Sequence, residues 1–148
     1  MRIAVATDHG GFPLKQTVIS TIKALNHEAL DFGTNSDASV DFPDFIKKAC
    51  QAVQNGEADR AIVMCGSGVG ACISANKMKG IYAAICHDVY SAHQGVEHDQ
   101  MNTLCLGGRI IGTELAKDLV TAFLNAEYFS GEKYKRRFDK IVDLEESF

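Results

Sequence analysis

"RAIVMCGSGVGACISANK", residues 60 to 77, runs from a short apolar segment through three closely spaced glycines into a segment of helical composition. An apolar run this short and this continuous reads as a β-strand buried on both faces. The glycines Gly66, Gly68 and Gly70 supply a tight turn. A helix follows from about Val69 to Lys77. A strand that turns directly into a helix is half of a βαβ unit, and the rest of the chain repeats the pattern. "RIAVAT" (2 to 7) reads as the first strand. Leu14, Val18, Ile22 and Leu25 then recur at helical spacing, with Pro13 tolerated in the first turn. "EALDFG" (28 to 33) is a second strand, and Phe45, Ile46, Ala49, Cys50 and Val53 mark one face of the next helix. "IYAAIC" (81 to 86) and "NTLCLGG" (102 to 108) complete a set of five, with a polar helix between them over roughly Val89 to Val96. Ile111, Leu115, Leu119, Ala122 and Ala126 line a further helix, and a basic C-terminal helix begins at about Lys133.

Strands and helices alternating at these lengths imply parallel strands joined by right-handed crossovers. The expected fold is therefore α/β: one doubly wound, Rossmann-like sheet of five parallel strands with helices on both faces, in one domain spanning 1–148. A chain of this length buries about 70% of its unfolded surface, enough for a full core. Its hydrophobic content of 46% and its two prolines fit a compact globule. No apolar run reaches membrane length, and Asp8-His9 interrupts the N-terminal apolar stretch before any cleavage site, so a cytoplasmic protein with no membrane partner is expected. The net charge of −4 argues against nucleic acid as a partner. Five cysteines without a C-x-x-C pair suit neither a disulfide framework nor a zinc site, so reduced thiols and no metal are expected.

In such sheets ligands gather beyond the carboxyl ends of the strands, where the strand order reverses. With an order beginning 2-1-3 that point lies between strands one and three, so "TDHGG" and "CGSGVG" become neighbours. The helix after the glycine turn aims unpaired N–H groups and its positive end at that point. An anion is favoured there, and so is a thiolate on Cys65, which could serve as nucleophile or as general base. A buried, inert thiol is the competing reading, and it is the one preferred for Cys50, Cys72, Cys86 and Cys105. Gly66-Ser67-Gly68-Val69-Gly70-Ala71, with Asp88 about 20 residues on, also satisfies a dinucleotide fingerprint, although that reading leaves Cys65, Asp8-His9 and the basic tail without a role. A cysteine phosphatase is excluded, because Ala71 stands where the phosphate-clamping arginine is needed.

Among the histidines, His9 lies at the tip of strand one and His98 just before strand five. His27 falls at the opposite end of the sheet from the site, and His87 and His93 read as surface residues. His87, Asp88, His93 and His98 lack any recurrent metal-ligand spacing. Asp41 serves either as a helix-start carboxylate or as an acceptor for ligand hydroxyls. Arg109 points toward the carboxyl edge. "EKYKRRFDK" (132 to 140) is either a solvated face or a binding site for one small anion.

Taken in order, "DHGGFPLK", "VDFPDF", "CGSGVGACISANK", "YSA", "HDQMN", "LGGRIIG" and the basic tail resemble the type B ribose-5-phosphate isomerases and the related galactose-6-phosphate isomerase subunits over essentially the whole chain. The resemblance implies aldose–ketose isomerisation of a phosphorylated sugar through an enediolate, without cofactor or metal. Ribose 5-phosphate is the first choice of substrate. Allose 6-phosphate, galactose 6-phosphate or a non-catalytic sugar-phosphate or nucleotide module are the alternatives. By the same resemblance Cys65 would be the base, assisted by Ser67, and His98 the ring-opening acid. The amides from Gly66 through Gly68, Val69 and Gly70 would hold the enediolate oxygen. Asp8, His9, Asp41 and Asp99 would meet the sugar, and Arg109, Lys133 and Arg137 the phosphate. Family sites are shared between subunits, so a homodimer or homotetramer is implied. This sequence has Phe42, Asp99 and Lys133 where the family pattern commonly has tyrosine, asparagine and arginine.

Overall fold

The computed structural model describes all 148 residues. Five strands, β1 (Arg2–Thr7), β2 (Glu28–Asp31), β3 (Arg60–Cys65), β4 (Ala83–Ile85) and β5 (Thr103–Gly107), form one sheet in the order β2-β1-β3-β5-β4. Every pairing is parallel. The order reverses between β1 and β3, which puts the switch point where the sequence places it. Helices α1 (Phe12–Ala24), α4 (Val89–Asp99) and α5 (Thr113–Asn125) cover one face, packing Val18, Ile22, Val96, Leu119 and Phe123 against Ile3, Val5, Ile62, Met64, Leu104 and Leu106. Helices α2 (Phe42–Gln54) and α3 (Val69–Asn76) cover the other, over Ala4, Ala6, Ala61, Val63 and Cys105. Successive strand residues thus feed opposite cores, which is why β1, β3 and β5 are apolar almost throughout. Helix α6 (Glu132–Glu146) buries none of its residues.

Three elements differ most from the sequence reading, while β5 and α5 are trimmed by one or two residues at each end. Strands β2 and β4 are shorter than expected, because both are edge strands and pair on one side only. Helix α4 continues past Val96 to Asp99, so His98 and Asp99 lie in its last turn rather than in a loop. Two i,i+4 side-chain pairs, His93–Glu97 and Gln94–His98, brace that turn, and Gln100 ends it in a left-handed conformation at φ 52°.

Candidate active site

The carboxyl ends of β1, β3 and β5 converge on one cavity of about 360 Å³, lined by Asp8, Phe42, Cys65, Gly66, Ser67, Gly70, Arg109 and Ile110. Backbone packing holds its walls. Gly108 donates its N–H to the Cys65 carbonyl and Arg109 to that of Gly66, both at 2.9 Å, which ties the loop after β5 to the loop after β3. The β1 loop is wedged against the same point. A Cβ on Gly10 would lie 2.8 Å from the Gly66 nitrogen, so that position requires glycine. Asp8, buried, accepts the Gly10 and Gly11 N–H groups through one oxygen, Oδ1, at 2.8 and 3.1 Å. His9, half-buried, accepts the Val40 N–H at Nδ1 (3.2 Å), so a neutral ring carries its proton on Nε2.

Cys65 is only 5% exposed, and that exposed part faces the cavity. Its Sγ accepts the N–H of Gly68 at 3.2 Å. Gly68 bends the chain back over the sulfur with φ +82°, a conformation glycine adopts without strain, and caps α3. Val69 donates to Ser67 Oγ at 3.2 Å, and Ser67 itself is exposed at the rim. Two of the amides expected to hold an oxyanion, those of Gly68 and Val69, are therefore occupied within the turn. The amides of Ser67, Gly70 and Ala71 have no acceptor in the chain, and they form the start of α3 where its dipole is positive. The Arg109 guanidinium lies over Gly66, with Nη1 3.1 Å from the point a Cβ there would occupy. It forms no ion pair within the chain, so it is a cavity wall rather than a surface salt bridge. The Phe42 ring presses on Gly70 and closes the far side, with Asp41 exposed beside it as the N-terminal cap residue of α2.

The remaining residues expected at the site lie elsewhere. His98, Asp99, Lys133 and Arg137 gather at the opposite, amino edge of the sheet. His98 stacks on Tyr134 of α6 with centroids 4.6 Å apart, and Lys133 Nζ lies 4.9 Å from the Tyr134 ring centroid. Asp99 borders a separate hollow with Gly95, Met101 and Ile141. Arg137 is exposed on α6. Within one chain these residues are separated from Cys65 by at least the length of β3, roughly 13 Å from Ala61 to Cys65. The residues that the sequence reading gathers into one site thus fall into two groups, one at each end of the sheet. Sequence reading singled out neither Ile110 as a cavity wall nor Gln94, Phe129 and Tyr134 beside His98. The i,i+4 spacing of Gln94 and His98 is the signal that was there to find.

Other expectations change as well. Cys72 is not an inert buried thiol. It is partly exposed, accepts Asn76 Nδ2–H at 3.5 Å, and its pKa is lowered to about 7, chiefly by a hydrogen bond from the Cys105 thiol. Burial pushes Cys50 and Cys86 up to about 11. His87 and His93 are both half-buried. Nε2 of His87 accepts the Gly107 N–H at 3.0 Å and burial lowers its pKa, while His93 pairs with Glu97. Asp88 caps α4 through the Ser91 N–H. It follows β4, which β5 separates from β3, so it does not sit where a dinucleotide fingerprint needs its ribose-binding acid. No group of three or more His, Cys, Asp or Glu side chains is placed to hold a metal ion. No helix is long and apolar enough to cross a membrane.

A doubly wound sheet with a thiol, a helix N-terminus and a guanidinium at its switch point defines a Rossmann-like protein built to handle an anionic ligand. Comparison with known proteins narrows the class. Residues 3–141 match the family described as Ribose/Galactose Isomerase. Ribose-5-phosphate isomerase B of Escherichia coli is 39% identical over 98% of this chain and 97% of its own length. Among solved structures, ribose-5-phosphate isomerase B of Clostridium thermocellum superposes with a TM-score of 0.95 at 44% identity, covering 99% of both chains. The Mycoplasma genitalium enzyme with bound ribulose 5-phosphate gives a TM-score of 0.91 at 36% identity, over 99% of this chain and 97% of that one. The chain belongs to the ribose/galactose isomerase family.

Proposed function

We propose that this isomerase interconverts ribose 5-phosphate and ribulose 5-phosphate, with the whole chain acting as one domain in a homodimer or homotetramer. The observation that carries the reading is the Cys65 sulfur, held at 3.2 Å by the Gly68 N–H inside a cavity shared with Asp8 and Arg109. In the opened aldose, the Cys65 thiolate takes the proton from C2. The released electron pair forms the C1–C2 double bond, and the C1 carbonyl pair moves onto its oxygen, giving an enediolate. The free amides of Ser67, Gly70 and Ala71 stabilise that charge. A proton then passes between the two oxygens, Cys65 returns its own proton to C1, and the ketone forms at C2.

Ser67 lies at the rim, within reach of the same oxygens. Asp8, His9 and Asp41 meet sugar hydroxyls, and His98 opens the furanose ring. The phosphate is held by Arg109 together with Lys133 and Arg137. Since one chain keeps His98, Asp99, Lys133 and Arg137 away from its own Cys65, each site joins the carboxyl edge of one subunit to the amino edge of another. A cytoplasmic place in pentose-phosphate carbohydrate metabolism accompanies this reading.

The test is incubation with ribose 5-phosphate, allose 6-phosphate and galactose 6-phosphate in deuterated water. Deuterium should appear at C1 of ribulose 5-phosphate and vanish in Cys65→Ala. Absence of exchange with all three sugars in the unaltered protein would refute the reading. Inactive Cys65→Ala and His98→Ala chains, refolded together, should recover about a quarter of full activity, because half of randomly paired dimers are mixed and each holds one intact site of two.

A further inference from the structure

The ring of His98 is held from three sides by groups to which the reaction as described assigns no role. Gln94, one turn earlier on α4, sets its carboxamide Nε2 2.6 Å from His98 Nδ1. Tyr134 stacks on the ring at an interplanar angle of 28°, and Phe129 lies 5.6 Å away, centroid to centroid, at 53°. Phe129 is itself pinned to α4, its N–H donating to the Glu97 carbonyl at 2.7 Å. The aromatic contacts set the plane of the imidazole, and the hydrogen bond sets its rotation within that plane. Nε2 is left without a partner in the chain.

A carboxamide nitrogen only donates, so Nδ1 must accept. In a neutral imidazole the proton then resides on Nε2.

We propose that Gln94 is a positioning residue that holds the proton of the neutral His98 ring on Nε2, so that His98 assists ring opening as a hydrogen-bond donor rather than by giving up a proton. This rests on the reading of His98 as the ring-opening group. As the C1–O4 bond breaks, its electron pair goes to O4, where the Nε2–H stabilises the developing charge. The C1 hydroxyl loses its proton to water and becomes the aldehyde carbonyl. O4 takes a proton from water, and His98 ends as it began. Neutral imidazole acting as an electrophile is established chemistry for sugar-phosphate carbonyls.

Two variants and two substrates test this. Ribose 5-phosphate arrives as a ring, whereas ribulose 5-phosphate is open-chain, because its C5 oxygen is esterified. Gln94→Leu removes the donor, and Gln94→Glu replaces it with an acceptor that draws the proton to Nδ1. Turnover of ribose 5-phosphate should fall about tenfold in the first, the worth of one hydrogen bond, and about a hundredfold in the second, with KM little changed. Solvent deuterium exchange at C1 of ribulose 5-phosphate needs no ring opening and should stay within about twofold. Nitrogen-15 NMR of labelled histidine should show Nε2 protonated and Nδ1 bare in the unaltered protein, with the order reversed in Gln94→Glu. A protonated Nδ1 in the unaltered protein, or equal losses on both substrates, would overturn the proposal. Unaltered protein that exchanges neither sugar would instead bring down the isomerase reading, and this proposal with it.

Discussion

Replacing Gly10 by alanine should damage catalysis more than stability, although Gly10 carries no side chain and holds no substrate in the proposed reaction. The added Cβ would lie 2.8 Å from the backbone nitrogen of Gly66 and 2.9 Å from its Cα. Restoring an ordinary contact of about 3.5 Å requires the β1 and β3 loops to part by roughly 0.6–0.7 Å. Neither neighbour is a side chain that could swing aside. Gly66 is fixed by the Arg109 N–H on its carbonyl, and Gly10 by its own N–H on Asp8. Overpacking of this kind costs about 1–3 kcal/mol. For a chain of this size that lowers Tm by about 3–10 °C, well short of unfolding it. The same displacement moves Asp8 relative to Cys65, and misplacement on the scale of 1 Å costs about a hundredfold in rate, so kcat should fall between roughly tenfold and a hundredfold. The assay pairs thermal denaturation with ribose 5-phosphate turnover. Gly112→Ala is the control, since its φ is −92° and nothing lies within 4 Å of its Cβ position. It should change stability by no more than about 0.5 kcal/mol and leave kcat alone. A Gly10→Ala enzyme with unchanged Tm and a rate within about twofold of normal would refute the claim that this close approach sets the geometry of the site.

Cys65→Ser keeps the volume but replaces the base with a hydroxyl too weak to ionise, and isomerisation should fall by at least about a hundredfold; a near-normal rate would contradict proton transfer by the thiolate. Arg137→Ala should raise KM for ribose 5-phosphate about tenfold with a smaller change in kcat, as expected for one lost charge-assisted phosphate contact, and an unchanged KM removes Arg137 from the phosphate site. Lys15→Met should cost about 2–3 kcal/mol by chemical denaturation, because Lys15 is buried and its ammonium serves Asp31 Oδ2 at 2.6 Å, the Thr34 carbonyl at 2.9 Å and Asn35 Oδ1 at 2.7 Å. Alkylation by iodoacetamide, read by peptide mass spectrometry, should reach Cys72 before Cys50 and Cys86. Cys72 is mostly thiol below its pKa of about 7 and mostly thiolate above it, so its labelling should rise through neutral pH and level off, while that of Cys50 and Cys86 keeps rising toward about 11.

Strands β1 and β3 are legible in the sequence to the residue, because each pairs on both sides and is apolar on both faces, so pattern and burial agree. The ends of β2 and β4 are not, since an edge strand stops where its single neighbour stops donating, and that depends on another part of the chain. The loops after β1 and β3 are readable as neighbours from the switch-point rule alone. What a linear reading misses is how the turn's own N–H groups are distributed. Nothing in "CGSGVG" says that Gly68 serves the sulfur and Val69 the Ser67 hydroxyl, because both bonds arise from the left-handed conformation at Gly68. Cys72 was misread for a similar reason: its helical neighbours look apolar, while the groups that lower its pKa come from Cys105 on β5 and from Asn76 one turn on.

The division of the proposed site between two edges follows from the fold itself. A crossover helix in a parallel sheet must run antiparallel to the strands it joins, so α4 leaves the carboxyl edge at Val89 and reaches the amino edge at Asp99. Any group in its last turn is thereby carried away from the cysteine of its own chain, and no rotamer of His98 can recover a span of roughly 13 Å. The surfaces around the two proposed half-sites fit this constraint. Val69, Ile73 and Ile110 are exposed at 49%, 57% and 60% around the Cys65 cavity, while α6, which carries Lys133 and Arg137, buries no residue and leaves Leu144 63% exposed. In a two-fold dimer a patch i that meets j on the partner implies that j meets i, so seating the amino edge of one chain on the carboxyl edge of the other completes both sites at once. A monomer has no such option. On the proposed reaction, dilution to the point of dissociation should therefore abolish turnover of ribose 5-phosphate, which needs His98 from the other subunit. Exchange at C1 of ribulose 5-phosphate, which needs no ring opening, should weaken through the lost phosphate contacts of Lys133 and Arg137.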